Sequence, residues 1–322
     1  MQPETLASTR RSDAAHETNP HVSDHDPQWN LIHWRRILPT LSIHLLCLGV
    51  IWVGWSWAAV IAALALYLVR MFAITAFYHR YFSHRTFRTH RATQFIFAAI
   101  GASSAQRGPL WWAAHHREHH RRSDREGDVH SPGLQGVLWS HFGWFLAEPN
   151  IPTNYKATPD LVKFPELVWI NRWHVAPVLA LAAFTWLLGA GLAKWAPGLG
   201  TSGAQMFVWG FAISTVLLHH ATFTINSLAH MFGRKRYPTN DDSRNNLLLA
   251  IITLGEGWHN NHHYAPGAAR QGFYWWEIDI SYYVLALMRR LGLVWDLNPA
   301  PERVYRQSAR IEEVAEVEEV RA

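Results

Sequence analysis

The stretch AAVIAALALYLVRMFAITAFYHRYFSH, residues 58–84, runs from an apolar segment straight into a pair of histidines, His79 and His84. Its apolar part, Ala58 to about Tyr78, approaches the ~20 residues a helix needs to cross a bilayer. A second apolar run, Ile37 to Val53, precedes it across a short turn at Gly54 and Ser56 that carries no formal charge. Arg35 and Arg36 stand before the pair, and Arg80, Arg85, Arg88 and Arg91 after it. Cationic flanks mark the cytoplasmic side, so both outer ends, with His79 and His84, are expected there. Trp173–Ala193 and Gln205 to about Ser227 form a second apolar pair, joined by a loop whose one formal charge is Lys194. Asn226, His230 and the basic run Arg234-Lys235-Arg236 follow on the cytoplasmic side.

Two further histidine boxes lie between and after these pairs: His116-Arg117-Glu118-His119-His120 and His259-Asn260-Asn261-His262-His263. Histidines at i, i+3 and i+4 share one helical face, with the adjacent pair fanned apart by about 100°. One box can therefore send ligands to two neighbouring metals. The repeated spacing argues against a solvated histidine-rich loop.

Composition agrees with a membrane protein. The 322 residues are 49% hydrophobic and only 16% charged, against about 25% charged for an average soluble chain. The net charge of +5 follows the flanks of the apolar runs and forms no separate basic domain, which argues against nucleic-acid binding. A single cysteine, Cys47, excludes disulfides within the chain and a thiolate metal site. Residues 1–30, with His16, His21 and His25, read as a disordered cytoplasmic tail, 31–300 as the membrane domain, and 301–322 as a charged tail. Thr93–Leu110 is too interrupted to span and is expected to be interfacial or re-entrant. Leu134–Leu146 is expected at the interface with Trp139 and Trp144 at headgroup level, and Trp275–Leu293 against the surface.

Imidazole suits iron, copper or zinc. Nine histidines exceed the four ligands of a structural zinc. A zinc peptidase needs Glu after the first histidine of its box, where Arg117 and Asn260 stand. A haem protein would use His44, His219 or His220 in the spans and leave the boxes idle. A metal transporter or sensor would carry polar groups on through the spans, which are mostly apolar. Two redox metals beside apolar spans point instead to O2 activation on a lipid-soluble substrate.

HRYFSH at 79–84, HREHH at 116–120, NSLAH at 226–230 and GEGWHNNHH at 255–263 resemble, in that order, the membrane fatty acyl desaturases, in particular the stearoyl-CoA (delta-9) branch and its bacterial relatives. The resemblance covers about residues 35–295. It implies an all-α fold, with four transmembrane helices in two hairpins under a cytosolic histidine-rich cap, in a bacterial inner membrane with both termini and the site cytoplasmic. It implies two iron ions. His79, His84, His116, His120 and His262 would hold one; His119, His230, His259 and His263 the other, with Asn226 reaching it through a water. Glu256, Asp128 and Asp242 are expected to steady imidazoles from behind.

The implied reaction uses O2 and two electrons to place a cis double bond, at delta-9, in a saturated C16–C18 chain. A hydroxylase on the same scaffold is the competing outcome. Too few residues follow Leu293 for a cytochrome-type domain, so an external donor is expected, ferredoxin or a cytochrome b-type protein with its reductase. Tyr67, Met71 and Thr75, four residues apart along the second span, resemble positions lining the closed end of the acyl tunnel, and Trp112 a tryptophan near the carrier. Where the animal acyl-CoA enzymes carry Arg-Asp and Arg-Lys, this chain has Ala114-His115 and Glu148-Pro149. That weakens a CoA carrier and makes a membrane phospholipid, or another carrier, a serious competitor to acyl-CoA, with Arg107 and Arg117 as candidate headgroup contacts.

Overall fold

A computed structural model describes residues 29–306. The tails expected at 1–30 and 301–322, with His16, His21 and His25, fall almost wholly outside the described residues. Among the described residues four helices are long and apolar enough to cross a membrane: Trp34–Val53, Trp57–Ser83, Val175–Trp195 and Gly203–His230. They contain 20, 27, 21 and 28 residues. At 1.5 Å per residue the first and third just match a hydrocarbon layer of about 30 Å, while the second and fourth reach about 40 Å. His79 and His230 stand in the last turns of the two long helices, at the end where the length exceeds that of the other two.

The second span changes character as it leaves. It is α-helical to Phe72 and π-helical over Ala73–Ser83. Hydrogen bonding at i→i+5 puts His84 one turn above His79, so a pair that an α-helix would splay shares a face. Their ring centroids are 5.1 Å apart.

Arg70 lies buried in the second span with no acid beside it. Its guanidinium donates to Ser214 Oγ at 2.6 Å and Thr215 Oγ1 at 2.8 Å on the fourth span. It also reaches Ser103 O, 3.4 Å away, at the C-terminal end of the helix Arg91–Ala102. His219 contacts the next carbonyl, Ser104 O, at 2.7 Å. A cation and an imidazole thus meet the negative end of a helix that stops among the spans, where bare carbonyls would be costly. Tyr78 packs against the same helix at Gly101, where a Cβ would collide with its ring, and donates to Ala98 O at 2.8 Å.

One expectation for the interfacial segment is overturned. Trp139 and Trp144 are buried rather than exposed at headgroup level. Trp139 donates its Nε1–H to Val129 O at 2.9 Å, and Trp144 stacks on Trp111. Their indoles fill the space between the segment and the box helix Pro109–Arg122. In the segment 275–293, Trp275 is 82% exposed while Glu277 and Asp279 are fully buried, so its acidic residues belong to the interior of the cap.

Candidate metal centre

His116, His119 and His120 lie on the helix Pro109–Arg122, and His259, His262 and His263 on the short helix His259–Tyr264. Each adjacent pair is divided. One group holds His79, His84, His116, His120 and His262; the other holds His119, His230, His259 and His263. Within each group the ligand atoms lie within 4.8 Å of one another. In the first group Nε2 atoms face each other at 2.9 Å for His79 and His262, 2.8 Å for His84 and His116, and 2.9 Å for His262 and His120. In the second the separations are 3.0 Å for His230 and His259 and 3.1 Å for His259 and His263.

Four of the opposite ring nitrogens are held by carboxylates. His119 Nδ1 lies 3.1 Å from Asp128 Oδ2, His230 Nδ1 2.6 Å from Asp124 Oδ2, and His263 Nδ1 3.0 Å from Asp241 Oδ2. Glu256 Oε2 pairs with His79 Nδ1. A carboxylate takes the Nδ1 proton and leaves Nε2 with its lone pair toward the centre. Burial, reinforced by neighbouring imidazoles, pushes His84, His116, His120, His259 and His262 well below the ordinary histidine range. They are neutral at pH 7 and able to coordinate. His119 alone among these rings moves up: burial opposes its charge, but Asp128 outweighs it. Asp124 is held down at about 2, where its bonds to His230, Ser131 and Asp242 outweigh burial. The donor set fits two borderline-soft cations.

Glu256 lies against His79 and Asp128 against His119, whereas Asp242 does not reach an imidazole. Its backbone N–H donates to Asp124 Oδ2 at 2.9 Å, and the neighbouring Asp241 takes the imidazole role. Ser243 holds the other Asp241 oxygen, at 2.5 Å from Oγ, which turns Oδ2 toward His263. Asp124, Asp241 and Gln271 were not anticipated, and no short-range spacing points to them. Gln271 Nε2 lies 3.0 Å from Glu256 Oε2, 3.3 Å from His79 Nδ1 and 3.4 Å from His262 Nδ1. Arg80, fully buried, completes the support. It donates to Glu256 Oε1 at 3.0 and 3.1 Å and to Asp279 Oδ2 at 3.0 Å. The turn that delivers Glu256 requires Gly255, at φ +125°, since a Cβ there would strike Asp279.

A cavity of about 50 Å³ reaches these rings, with Thr75, Trp112, Asn226 and Glu256 in its wall. Asn226, Trp112 and His116 also line a larger cavity of about 480 Å³. Thr75 shares a 2.6 Å hydrogen bond with Ser281 Oγ. Met71 is fully buried in the main apolar cluster with Tyr67 packed against it, and neither lines these two cavities. The Tyr67 hydroxyl donates to Ile252 O. Arg107 lines the larger cavity and lies over Trp111. Arg117 lines neither of these cavities. It forks onto Asp160 at 2.7 and 3.0 Å and donates to the carbonyls of Phe82, Ser83 and Ala157. Its place between His116 and His120 turns it toward the end of the second span, so its donors hold backbone.

A family model described as fatty acid desaturase matches residues 55–290. The chain is 35% identical to an acyl-CoA 5-desaturase of Anemone leveillei, over 87% of this chain and 83% of that protein. It is 32% identical to an sn-1 stearoyl-lipid 9-desaturase of Anabaena variabilis, over 84% of this chain and 96% of that protein. It is 33% identical to a chloroplastic palmitoyl-monogalactosyldiacylglycerol delta-7 desaturase of Arabidopsis thaliana, over 84% and 70%.

Proposed function

The chain belongs to the fatty acid desaturase family and is an oxidoreductase, and from that premise we propose that it introduces a cis double bond at delta-9 into a saturated C16–C18 acyl chain. The observation that carries this reading is the division of each histidine box between two groups, beside a cavity continuous with apolar walls. The first group would hold one iron and the second another, with Asn226 near the second. Bound iron supplies the oxidant that an unactivated C–H bond demands, with O2 and two electrons from an external donor, ferredoxin or a cytochrome b-type protein with its reductase.

The protein's own residues do the positioning. Asp124, Asp128, Asp241 and Glu256 keep the imidazoles in one tautomer. Thr75 and Trp112 wall the chain in, so that one carbon pair is presented and bulk water is kept out. Met71 and Tyr67, about one and two turns further along the second span, stop the methyl end. The basic flanks support a reading in which the site and both termini face the cytoplasm, in a bacterial inner membrane. The relative named as a 9-desaturase supports the bond position, while relatives named for acyl-CoA and for lipid substrates leave two carriers in play.

The test is the fatty-acid methyl ester profile of host cells expressing this chain. The control is the double variant His119→Ala, His263→Ala, and double bonds are mapped by derivatisation. A delta-9 monoene absent from the control is expected. A hydroxy acid instead would overturn the desaturase outcome.

A further inference from the structure

The cavity of about 480 Å³ has two chemically different ends. One touches Trp112, His116 and Asn226 at the metal centre. The other is edged by Arg35, Arg36 and Arg107. Pro39 and Ile43 of the first span and Val175 and Val178 of the third add apolar lining. Arg35, Arg36 and Pro39 are exposed, so the cavity reaches the surface along the first span.

No carboxylate among the described residues lies within ion-pair reach of these three arginines. Arg107 sits at φ +66°, a conformation uncommon for a side chain of this size, on the turn before the box helix. Its guanidinium packs 5.0 Å over Trp111. Burial and the nearby Arg36 push it down to about 10. Arg36 and Arg107, near enough for their charges to interact, with Arg35 on the same cavity lining, are unfavourable by themselves. An anion between them reverses that, and guanidinium forks match phosphate oxygens.

Depth identifies the anion. Arg35 and Arg36 are the second and third residues of a 20-residue span, so they stand at headgroup level. From Gly108 to His116 the box helix rises about 12 Å. A phosphate at Arg107 therefore leaves the carboxyl half of an acyl chain to cover that rise and puts mid-chain carbons at the histidines.

We propose that Arg35, Arg36 and Arg107 form a phosphodiester site, and that the substrate is a membrane glycerophospholipid entering sideways along the first span with its acyl chain leading to the metal centre. This rests on the desaturase reading and selects between its two carriers.

The test uses the full-length, metal-loaded protein in detergent, with native mass spectrometry of bound palmitoyl-oleoyl phosphatidylglycerol. Wild type should retain the lipid roughly tenfold or more over Arg36→Gln/Arg107→Gln, since each lost contact is charge-assisted. The single variant Arg36→Gln, at an exposed position, should fall between. Arg121→Gln, outside the cavity, should match wild type, and metal content should be equal in all four. Equal lipid retention by wild type and the double variant would overturn the site. Displacement of the lipid by palmitoyl-CoA at lower concentration would reassign the arginines to a CoA phosphate and overturn the phospholipid assignment. Arginine-dependent lipid retention without a new monoene in expressing cells would leave the headgroup site standing and fail the desaturase reading alone.

Discussion

Asp124 Oδ2 and His230 Nδ1 lie 2.6 Å apart although 106 residues separate them in the chain. The same carboxylate takes the Ser131 hydroxyl at 2.7 Å on its other oxygen, and the backbone N–H of Asp242. One acid just past the second histidine box therefore joins the end of the fourth span to the loop before the third box. A metal ligand backed in this way has its tautomer and ring angle set before the metal arrives.

Asp124→Ala is expected to weaken metal binding about 10–100-fold, the usual cost of losing such a partner. Asp241→Asn should act in the same direction through His263, whereas Asp242→Asn, whose contact to Asp124 is made by its backbone, should stay within about twofold. Metal content after dialysis against a graded series of chelator separates them. Equal losses at 241 and 242 would contradict the geometry.

Arg80 is shared by Glu256 and Asp279, all three fully or almost fully buried. Removing the cation strands two buried carboxylates, and breaking such a pair costs about 3–5 kcal/mol. Arg80→Met should lower the unfolding midpoint by many degrees in detergent. Arg91→Met, whose partner Glu166 is at the surface, should shift it little. Comparable shifts for the two would remove Arg80 from its central place.

Met71→Ala opens space one turn along the second span from Thr75. The product distribution should move from C16 toward C18 and longer, read in the methyl ester profile. An unchanged chain-length distribution would mean that Met71 packs the core and does not measure the acyl chain.

Acid should destabilise the metal-stripped protein. Burial lowers His263 to about 4 and His130 to about 3, from an unfolded value near 6.5. Between those values the unfolded chain binds more protons than the folded one, so stability is complete above about pH 6.5 and falls as the pH drops toward 4. The melting midpoint should decline by several degrees over that window. A flat midpoint from pH 7 to 4 would count against neutral, buried imidazoles.

The apolar runs and histidine boxes were legible because both are local. A span announces itself by about 20 successive apolar residues, and i, i+3, i+4 spacing maps directly onto a helical face. The division of His119 from His120, and of His262 from His263, follows from the same geometry. The His79–His84 pair was legible as a pair, but not the π-helical turn that aligns it, since widening a helix depends on the packing around it.

What the chain by itself determined is the set of spans, the ligand-bearing boxes and the family chemistry. Only the tertiary structure decided that Asp124 and Asp241 stand behind the rings, that Arg117 clamps backbone while Arg107 faces a cavity, and that Trp139 and Trp144 are buried. Most of those outcomes depend on a partner far along the sequence. Asp241 and Asp242 are the same residue in adjacent positions, and a turn of the loop aims one at His263 and the other away. Local periodicity carries no information about direction across the fold, which is where orientation, pairing and access are set.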